Sequence, residues 1–391
     1  MKLKIAYLLL HDQRFSGWRL SDFVFSRYHF AKDYAERMGS RGNEVVLFTF
    51  HQGVREVKEF ALNSYTLKVF PVSFRFPPLI PIGNSHNFEV FKELEEESFD
   101  IVHFHNYYLW SLAPIIFFKR GGHFRMVGQY HGEPELQVIG KHFHRFLFHP
   151  IDKFLVSTNE EIYWLKKLHV DSSKIVKFPN VGVDIHQYYK ICQKEELPHL
   201  IYVGRMTLQP RTLKEKNPWI ILEVASKLKK RFSSNFKLLM VGDGPGLEAL
   251  KNFSKRLGLR ENVKFLGYIP HHLLPSLYSK CLLAFVPISM GDIDPFWDGS
   301  LKEALACETA VAGFNMYVRN YAQARKRFGL LLPVDIDKAA EILSIALSEK
   351  NFLFEAGSRG RKFVEKYCSW DKLIGKLIRL YNNLVNSPSN C

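Results

Sequence analysis

The sequence is poor in cysteine: Cys192, Cys281, Cys307, Cys368 and Cys391 are the five among 391 residues, odd in number and widely spaced. That excludes a disulfide framework and a paired-cysteine metal motif, and it fits a reducing cytosol. Long apolar runs are missing too. The longest, residues 107–118, is interrupted by Pro114 and falls short of the roughly 20 residues that span a bilayer. No charged leader, apolar core and small-residue cleavage site follow one another at the N-terminus, so no secretory signal is expected. Acidic charge is in deficit. Lysine and arginine number 54 against 39 aspartate and glutamate, and the resulting +15 favours polyanions such as a nucleotide diphosphate, nucleic acid or an anionic membrane surface. With no zinc-finger or RNP-like module, and with basic residues spread through both halves, nucleic acid is not expected as a partner. His142, His144 and His149 invite a metal reading, but their spacing does not converge three imidazoles, and no metal site is expected.

What is present is a rhythm of short β-type runs and longer helical patterns. The runs at 5–10, 44–50, 101–104, 126–130 and 154–157 form one series. Those at 200–203, 237–241, 263–266, 282–286, 309–312 and 330–332 form another, after a polar, proline-closed stretch at 190–198. Strands alternating with helices mean parallel sheets with crossover connections. The expectation is an α/β chain of two doubly wound, Rossmann-like domains, 1–190 and 198–368. Residues 369–385 carry apolar side chains at three- and four-residue steps, a long amphipathic helix. The tail 369–391 is expected to pack back on the N-terminal domain. Ligands of such sheets sit beyond the carboxyl ends of the strands, so two facing sheets would line an interdomain cleft with loops.

Three loops after strands could carry chemistry. Val203-Gly204-Arg205 ends a strand, and Lys216-Asn217 opens the next helix, which places cations near a helix N-terminus where phosphate is favoured. Val241-Gly242-Asp243-Gly244-Pro245-Gly246 joins a strand to a helix at 247–257, but its spacing is not the dinucleotide fingerprint, and a tight turn explains it better than direct cofactor contact. The segment 292–306 runs from Asp294 through Asp298, Gly299, Ser300 and Leu301 to Glu303. Amides around Gly299 could hold an anion, and Glu303, one turn into the helix, could accept hydrogen bonds from vicinal hydroxyls. The plainer reading makes Asp298 an N-cap and Glu303 an exposed helix residue.

These pieces, together with Asp100-Ile101-Val102-His103-Phe104-His105, Gln129-Tyr130-His131-Gly132, Pro179-Asn180-Val181-Gly182-Val183-Asp184 and Val263-Lys264-Phe265-Leu266-Gly267-Tyr268, occur in one order along nearly the whole chain. In that order the chain resembles the family 4 (group 1) GT-B glycosyltransferases. The resemblance implies a retaining, metal-independent transferase whose co-substrate is a nucleotide-sugar, with no bound cofactor. It implies that Arg205 and Lys216 hold the donor diphosphate, helped by backbone around Gly299 to Leu301. Glu303 would bind the ribose, Tyr268 and Ile269 would border the nucleobase, and His131 would face the transferred sugar. Gly17 is the remnant of a glycine-rich loop after the first strand, and Gly242 is a further donor-side position. The family usually carries a second glutamate eight positions before Glu303; here that position is Pro295, so Asp294 or Asp298 would make the sugar contact. The acceptor would be a glycan, a lipid-linked or a small molecule. The expected location is cytoplasmic, with peripheral membrane contact through the basic and aromatic stretch near 141–149 as an option. A nucleotide-sugar epimerase of the same fold and a catalytically degenerate nucleotide-sugar-binding protein are the alternatives.

Overall fold

A computed structural model describes the chain except residues 15–16, 26–28, 76–84, 106–114, 116–123, 132–147, 209–216, 233–234, 287–295, 297, 316 and 388–391. The chain divides into two compact units, Met1–Asn180 with Leu373–Cys391, and Val181–Lys372.

The first unit is built on β1 (Lys4–Asp12), β2 (Glu44–Phe50), β3 (Lys58–Ala61) and β4 (Thr66–Phe70), a two-residue pair β5 (Phe74–Arg75) and β6 (Ser85–His86), then β7 (Ile101–His105), β8 (Arg125–Gln129), β9 (Lys153–Val156) and β10 (Ile175–Lys177). Its main sheet runs β10-β9-β8-β7-β1-β2-β4-β3. The unbroken apolar run of β1 is what a strand covered on both faces requires, and Ile5 to Leu9 are fully buried. All of its neighbouring pairs are parallel except β3 on β4. From β1 the chain builds outward through β2 and then restarts on the other side with β7, so the order reverses between β1 and β7.

The second unit contains β11 (His199–Val203), β12 (Lys237–Val241), β13 (Val263–Gly267), β14 (Leu283–Phe285), β15 (Ala310–Phe314), β16 (Arg325–Lys326) and β17 (Gly329–Leu332). Its order is β13-β12-β11-β14-β15-β17-β16, with the reversal between β11 and β14. Only β16 is antiparallel among these pairings. The antiparallel edge strands β3 and β16 depart from the all-parallel expectation. Both are short and rich in charge, a composition that blunts a sheet edge and hides a strand from a search for apolar runs.

The polar stretch 190–198, read from sequence as the domain boundary, lies inside the second unit. The reason is a set of side-chain straps. The Arg361 guanidinium donates to the carbonyls of Tyr188 (2.6 Å), Ala306 (2.9 Å) and Ile185 (3.3 Å). The Ile191 amide donates to Ser279 Oγ at 3.1 Å, and Lys194 Nζ donates to Thr309 Oγ1 at 2.8 Å. Lys194 is largely enclosed, and burial pushes its ammonium down to about 8.

The C-terminal helix, Trp370–Asn386, belongs to the first unit from Leu373 onward. Its stripe of Leu373, Ile374, Leu377 and Tyr381 is buried, each worth roughly 1.5–3 kcal/mol if the apolar side chain is fully removed from water. The Tyr381 hydroxyl shares a hydrogen bond with His103 Nδ1 of β7. Lys376 Nζ donates to the Lys177 carbonyl at 3.0 Å. No helix among the described residues is long and apolar enough to cross a membrane.

Candidate functional site

In the second unit the loop after β11 carries Arg205, whose side chain is exposed. Backbone bonds lace this loop to the end of β12 and the turn that follows it, and that turn to the end of β13. Gly204 N–H donates to the Val241 carbonyl (3.0 Å), Met206 N–H to Asp243 (2.9 Å), Gly246 N–H to Met206 (2.8 Å) and Gly242 N–H to Gly267 (2.8 Å). The Tyr202 hydroxyl donates to the Arg205 carbonyl at 3.1 Å, and the Trp219 indole to the Thr207 carbonyl at 3.1 Å. Glycine is needed for this approach. Gly242 has φ +130°, and a Cβ there would lie 2.0 Å from the Gly204 carbonyl oxygen; one at Gly246 would lie 2.1 Å from that of Thr207. The 242–246 turn is therefore the support on which the Arg205 loop rests. The next helix, Pro218–Arg231, has Pro218 in its first turn and Asn217 as its N-cap, whose Oδ1 accepts from the amides of Trp219 (3.1 Å) and Ile220 (3.2 Å). Lys216, the residue before that cap, lies outside the described residues.

Across the order reversal, beyond β14, the helix Gly299–Ala306 presents Glu303. Asp298 is its N-cap: Oδ1 accepts from the Leu301 amide (2.8 Å) and from the Ser300 hydroxyl (2.5 Å). At Gly299, the helix start, the one described atom within 4 Å of where a Cβ would stand is Val181 Cγ2, at 3.9 Å. The Glu303 side chain is 16% exposed. One carboxylate oxygen accepts from the Tyr278 hydroxyl at 3.4 Å, and the other lies 3.6 Å from His271 Nδ1. That same Nδ1 is 3.1 Å from the Tyr188 hydroxyl, and the phenol also donates to the His271 carbonyl at 3.3 Å. Burial first, and then the neighbouring Glu303 carboxylate, drive the Tyr278 phenol well above its ordinary range, so it stays a donor. Glu303 is thus largely enclosed and approached by Tyr278 and His271, with Tyr188 bonded to the far side of His271, which is not the exposed helix residue of the plainer reading. Tyr268 is 64% exposed, and Ile269 packs partly against the core of this unit. Asp294 and Pro295 lie outside the described residues.

The first unit gathers a different set at the carboxyl ends of β7 and β8. His131 follows β8, and its Nε2 is 3.1 Å from Nδ1 of His105, the last residue of β7. Phe30 stacks on the His131 ring at 4.2 Å between centroids and 26° between planes. Tyr34 meets the ring edge-on at 6.4 Å. Beneath them Gln129 Nε2 donates to the Tyr34 hydroxyl (3.0 Å) and to the Pro179 carbonyl (3.2 Å), and Tyr34 donates to the Asn180 carbonyl (3.1 Å). Gly17 follows β1 at φ +85° with none of the described residues within 4 Å of where a Cβ would stand, and its amide donates to the Arg14 carbonyl at 3.0 Å. Sequence reading missed His105, Tyr278, His271 and Tyr188. For His105 a signal existed: it pairs in register with Gln129, two residues before His131, so the two imidazoles had to meet once β7 and β8 were neighbours.

Each half of the chain matches a family model: residues 29–187 match Glycosyltransferase Family 4, and residues 187–363 match Glycosyl transferases group 1. Both halves of the chain are glycosyltransferase domains. Among curated relatives, the 2-deoxystreptamine N-acetyl-D-glucosaminyltransferase of Streptomyces fradiae is 32% identical over 75 residues, 19% of this chain and 17% of that protein. The chain spans between 16% and 52% of the length of the curated relatives it matches. Solved structures align over the whole length. A glycosyltransferase from Rickettsia africae superposes with TM-score 0.69 at 15% identity, covering 99% of this chain and 100% of the other. HepE of Anabaena, in complex with UDP, superposes with TM-score 0.67 at 14% identity, covering 97% and 100%. At these identities the likeness is one of fold, and the fold of the chain is GT-B.

Proposed function

We propose that the protein transfers a sugar from a nucleotide-sugar donor to an acceptor hydroxyl, with retention at the anomeric carbon and without a metal ion. The observation that carries the reading is the placement of Arg205 and Glu303. They follow β11 and β14, adjacent strands on either side of the order reversal, where open α/β sheets bind their ligands. The UDP bound by HepE, a neighbour of the same fold, supports a nucleotide ligand.

In this reading Arg205, with Lys216 contributing a second charge, holds the diphosphate and stabilises it as negative charge develops on leaving. The laced loop fixes the position of Arg205 before substrate arrives, so little reorganisation is needed at the transition state. Glu303, kept in place by Tyr278 and His271, accepts from the ribose hydroxyls. Tyr268 and Ile269 border the base. Asp298 is engaged in capping the Glu303 helix, so Asp294 is the better candidate for the sugar contact that Pro295 does not make. His131 meets the transferred sugar or the acceptor. The acceptor is a glycan or a lipid-linked molecule, reached on the cytoplasmic side, with peripheral membrane contact for the lipid-linked case.

Product analysis tests this directly. The purified chain is incubated with UDP-, GDP-, ADP- and dTDP-sugars in the presence of a chelator. The expected outcome is release of one nucleoside diphosphate and a first-formed product with the donor's anomeric configuration. An inverted product, an isomerised donor or an absolute requirement for metal would overturn the corresponding part of the proposal.

A further inference from the structure

His131 does not stand alone at the end of β8, and the residue that touches it is fully buried. His105 has no solvent exposure, and its ring is enclosed by Tyr7 at 5.1 Å, Tyr34 at 5.1 Å and His103 at 4.7 Å between centroids. Phe30 meets it edge-on at 5.6 Å. Among the described residues the titratable groups around it are these two phenols, His103, His131 and His29, with no carboxylate among them. Burial, followed by the neighbouring imidazoles, keeps the His105 cation far below its ordinary range, so the ring is neutral and carries one proton.

The position of that proton follows from its two nitrogens. Nδ1 lies 3.1 Å from His131 Nε2, while Nε2 is buried with no hydrogen-bond partner among the described residues. With the proton on Nε2, an N–H donor would be buried without an acceptor. With the proton on Nδ1, the donor is satisfied by His131 and only a lone pair goes unpaired. Orphaned buried N–H groups are the rarer and costlier of the two. The neutral His105 is therefore an Nδ1–H donor, and His131 Nε2 must be the acceptor.

We infer that His105 is a positioning residue that holds His131 in its Nδ1–H tautomer. The Phe30 stack fixes the plane of the His131 ring, and the His105 bond fixes which of its nitrogens carries the proton. His131 then meets an oxygen of the substrate as a hydrogen-bond donor through Nδ1, while Nε2 stays committed to His105. The functional half of this inference rests on the proposal that His131 contacts the sugar or acceptor; the tautomer does not.

Long-range proton–nitrogen spectra of the full chain labelled at its 16 histidines report the tautomer without any ligand, with the His131 signals assigned by their loss in His131→Gln. The expected pattern for His131 is a protonated Nδ1 and an unprotonated Nε2. His105→Phe preserves ring volume but removes the donor, and should return His131 to the Nε2–H tautomer that free imidazole side chains favour. His105→Asn places an amide N–H near the lost Nδ1–H and should keep the parent pattern. An Nε2–H tautomer in the parent, or a pattern unchanged in His105→Phe, overturns the inference, and the parent spectrum decides even if the phenylalanine variant does not fold. Turnover of the nucleotide-sugar that the chain consumes gives the second readout. His105→Phe should slow it about tenfold, the worth of one hydrogen bond, and should add nothing in a His131→Ala background. Additive losses would mark His105 as merely structural. No effect of His131→Ala by itself would overturn the sugar-contact reading while leaving the tautomer assignment intact.

Discussion

Arg205→Ala is expected to lower turnover by about 100- to 1,000-fold with the fold intact, the loss seen when one preorganised donor to a developing oxyanion is removed. The loop bearing Arg205 is held by backbone bonds from Gly204, Met206 and Gly246 and by the Tyr202 hydroxyl, none of which involves the guanidinium. Thermal unfolding of the variant should therefore match the parent. Arg205→Lys restores the charge but not the planar fork, and should recover only part of the rate. Steady-state kinetics on the consumed donor make the comparison. If turnover in Arg205→Ala equals that of the parent, Arg205 does not stabilise the leaving group.

Gly242→Ala should be among the most damaging single methyl groups in the second unit. The position has φ +130°, a backbone region that costs a side chain of order 1–3 kcal/mol. The added Cβ would also sit 2.0 Å from the Gly204 carbonyl oxygen, and backbone on both sides is tied into adjacent parallel strands. Overpacking of this kind adds roughly 1–3 kcal/mol more. The sum predicts a destabilisation of about 2–6 kcal/mol, read from denaturant unfolding. It also predicts a functional signature: displacement of the Arg205 loop should cut turnover even at temperatures where the variant is folded. Gly258→Ala is the control, since Gly258 also has positive φ but none of the described residues lies within 4 Å of where its Cβ would stand. Equal effects of the two substitutions would show that strain, rather than the contact between the two loops, explains the glycine.

Much of the architecture was legible because buried parallel strands write themselves as apolar runs. Residues 5–10 and 237–241 read as strands and lie within β1 and β12, and the apolar stripe at 369–385 became the helix Trp370–Asn386. Edge strands escaped because Lys58–Ala61 and Arg325–Lys326 carry no such signal. The boundary at 190–198 was misplaced for a different reason. Polarity marks a linker only when the segment is free, and here Ile191 and Lys194 are fastened to Ser279 and Thr309, partners roughly ninety and more residues away.

The site was legible where a residue's role is local and hidden where it is tertiary. Asp298 could be read as an N-cap from its position before Gly299-Ser300-Leu301, and it is one. That Glu303 would be clasped by Tyr278 and His271, with Tyr188 on the far side of the imidazole, depends on the packing of four segments spread from residue 188 to residue 303. The 242–246 turn was half legible: glycine spacing signalled a tight turn, but not that its purpose is to let the β11 loop pass 2.0 Å from where a side chain would begin.

Nucleotide-sugar binding by Arg205 and Glu303 is the central proposal, and thermal stabilisation tests it most directly. The purified chain is heated with UDP-, GDP-, ADP- and dTDP-sugars in chelator, beside Glu303→Ala. The prediction is selective stabilisation by the sugars of one base, about 2.7 kcal/mol when the ligand is present at roughly 100 times its Kd, and little or none in Glu303→Ala. An unmoved transition with every donor, or an equal shift in parent and Glu303→Ala, would contradict it.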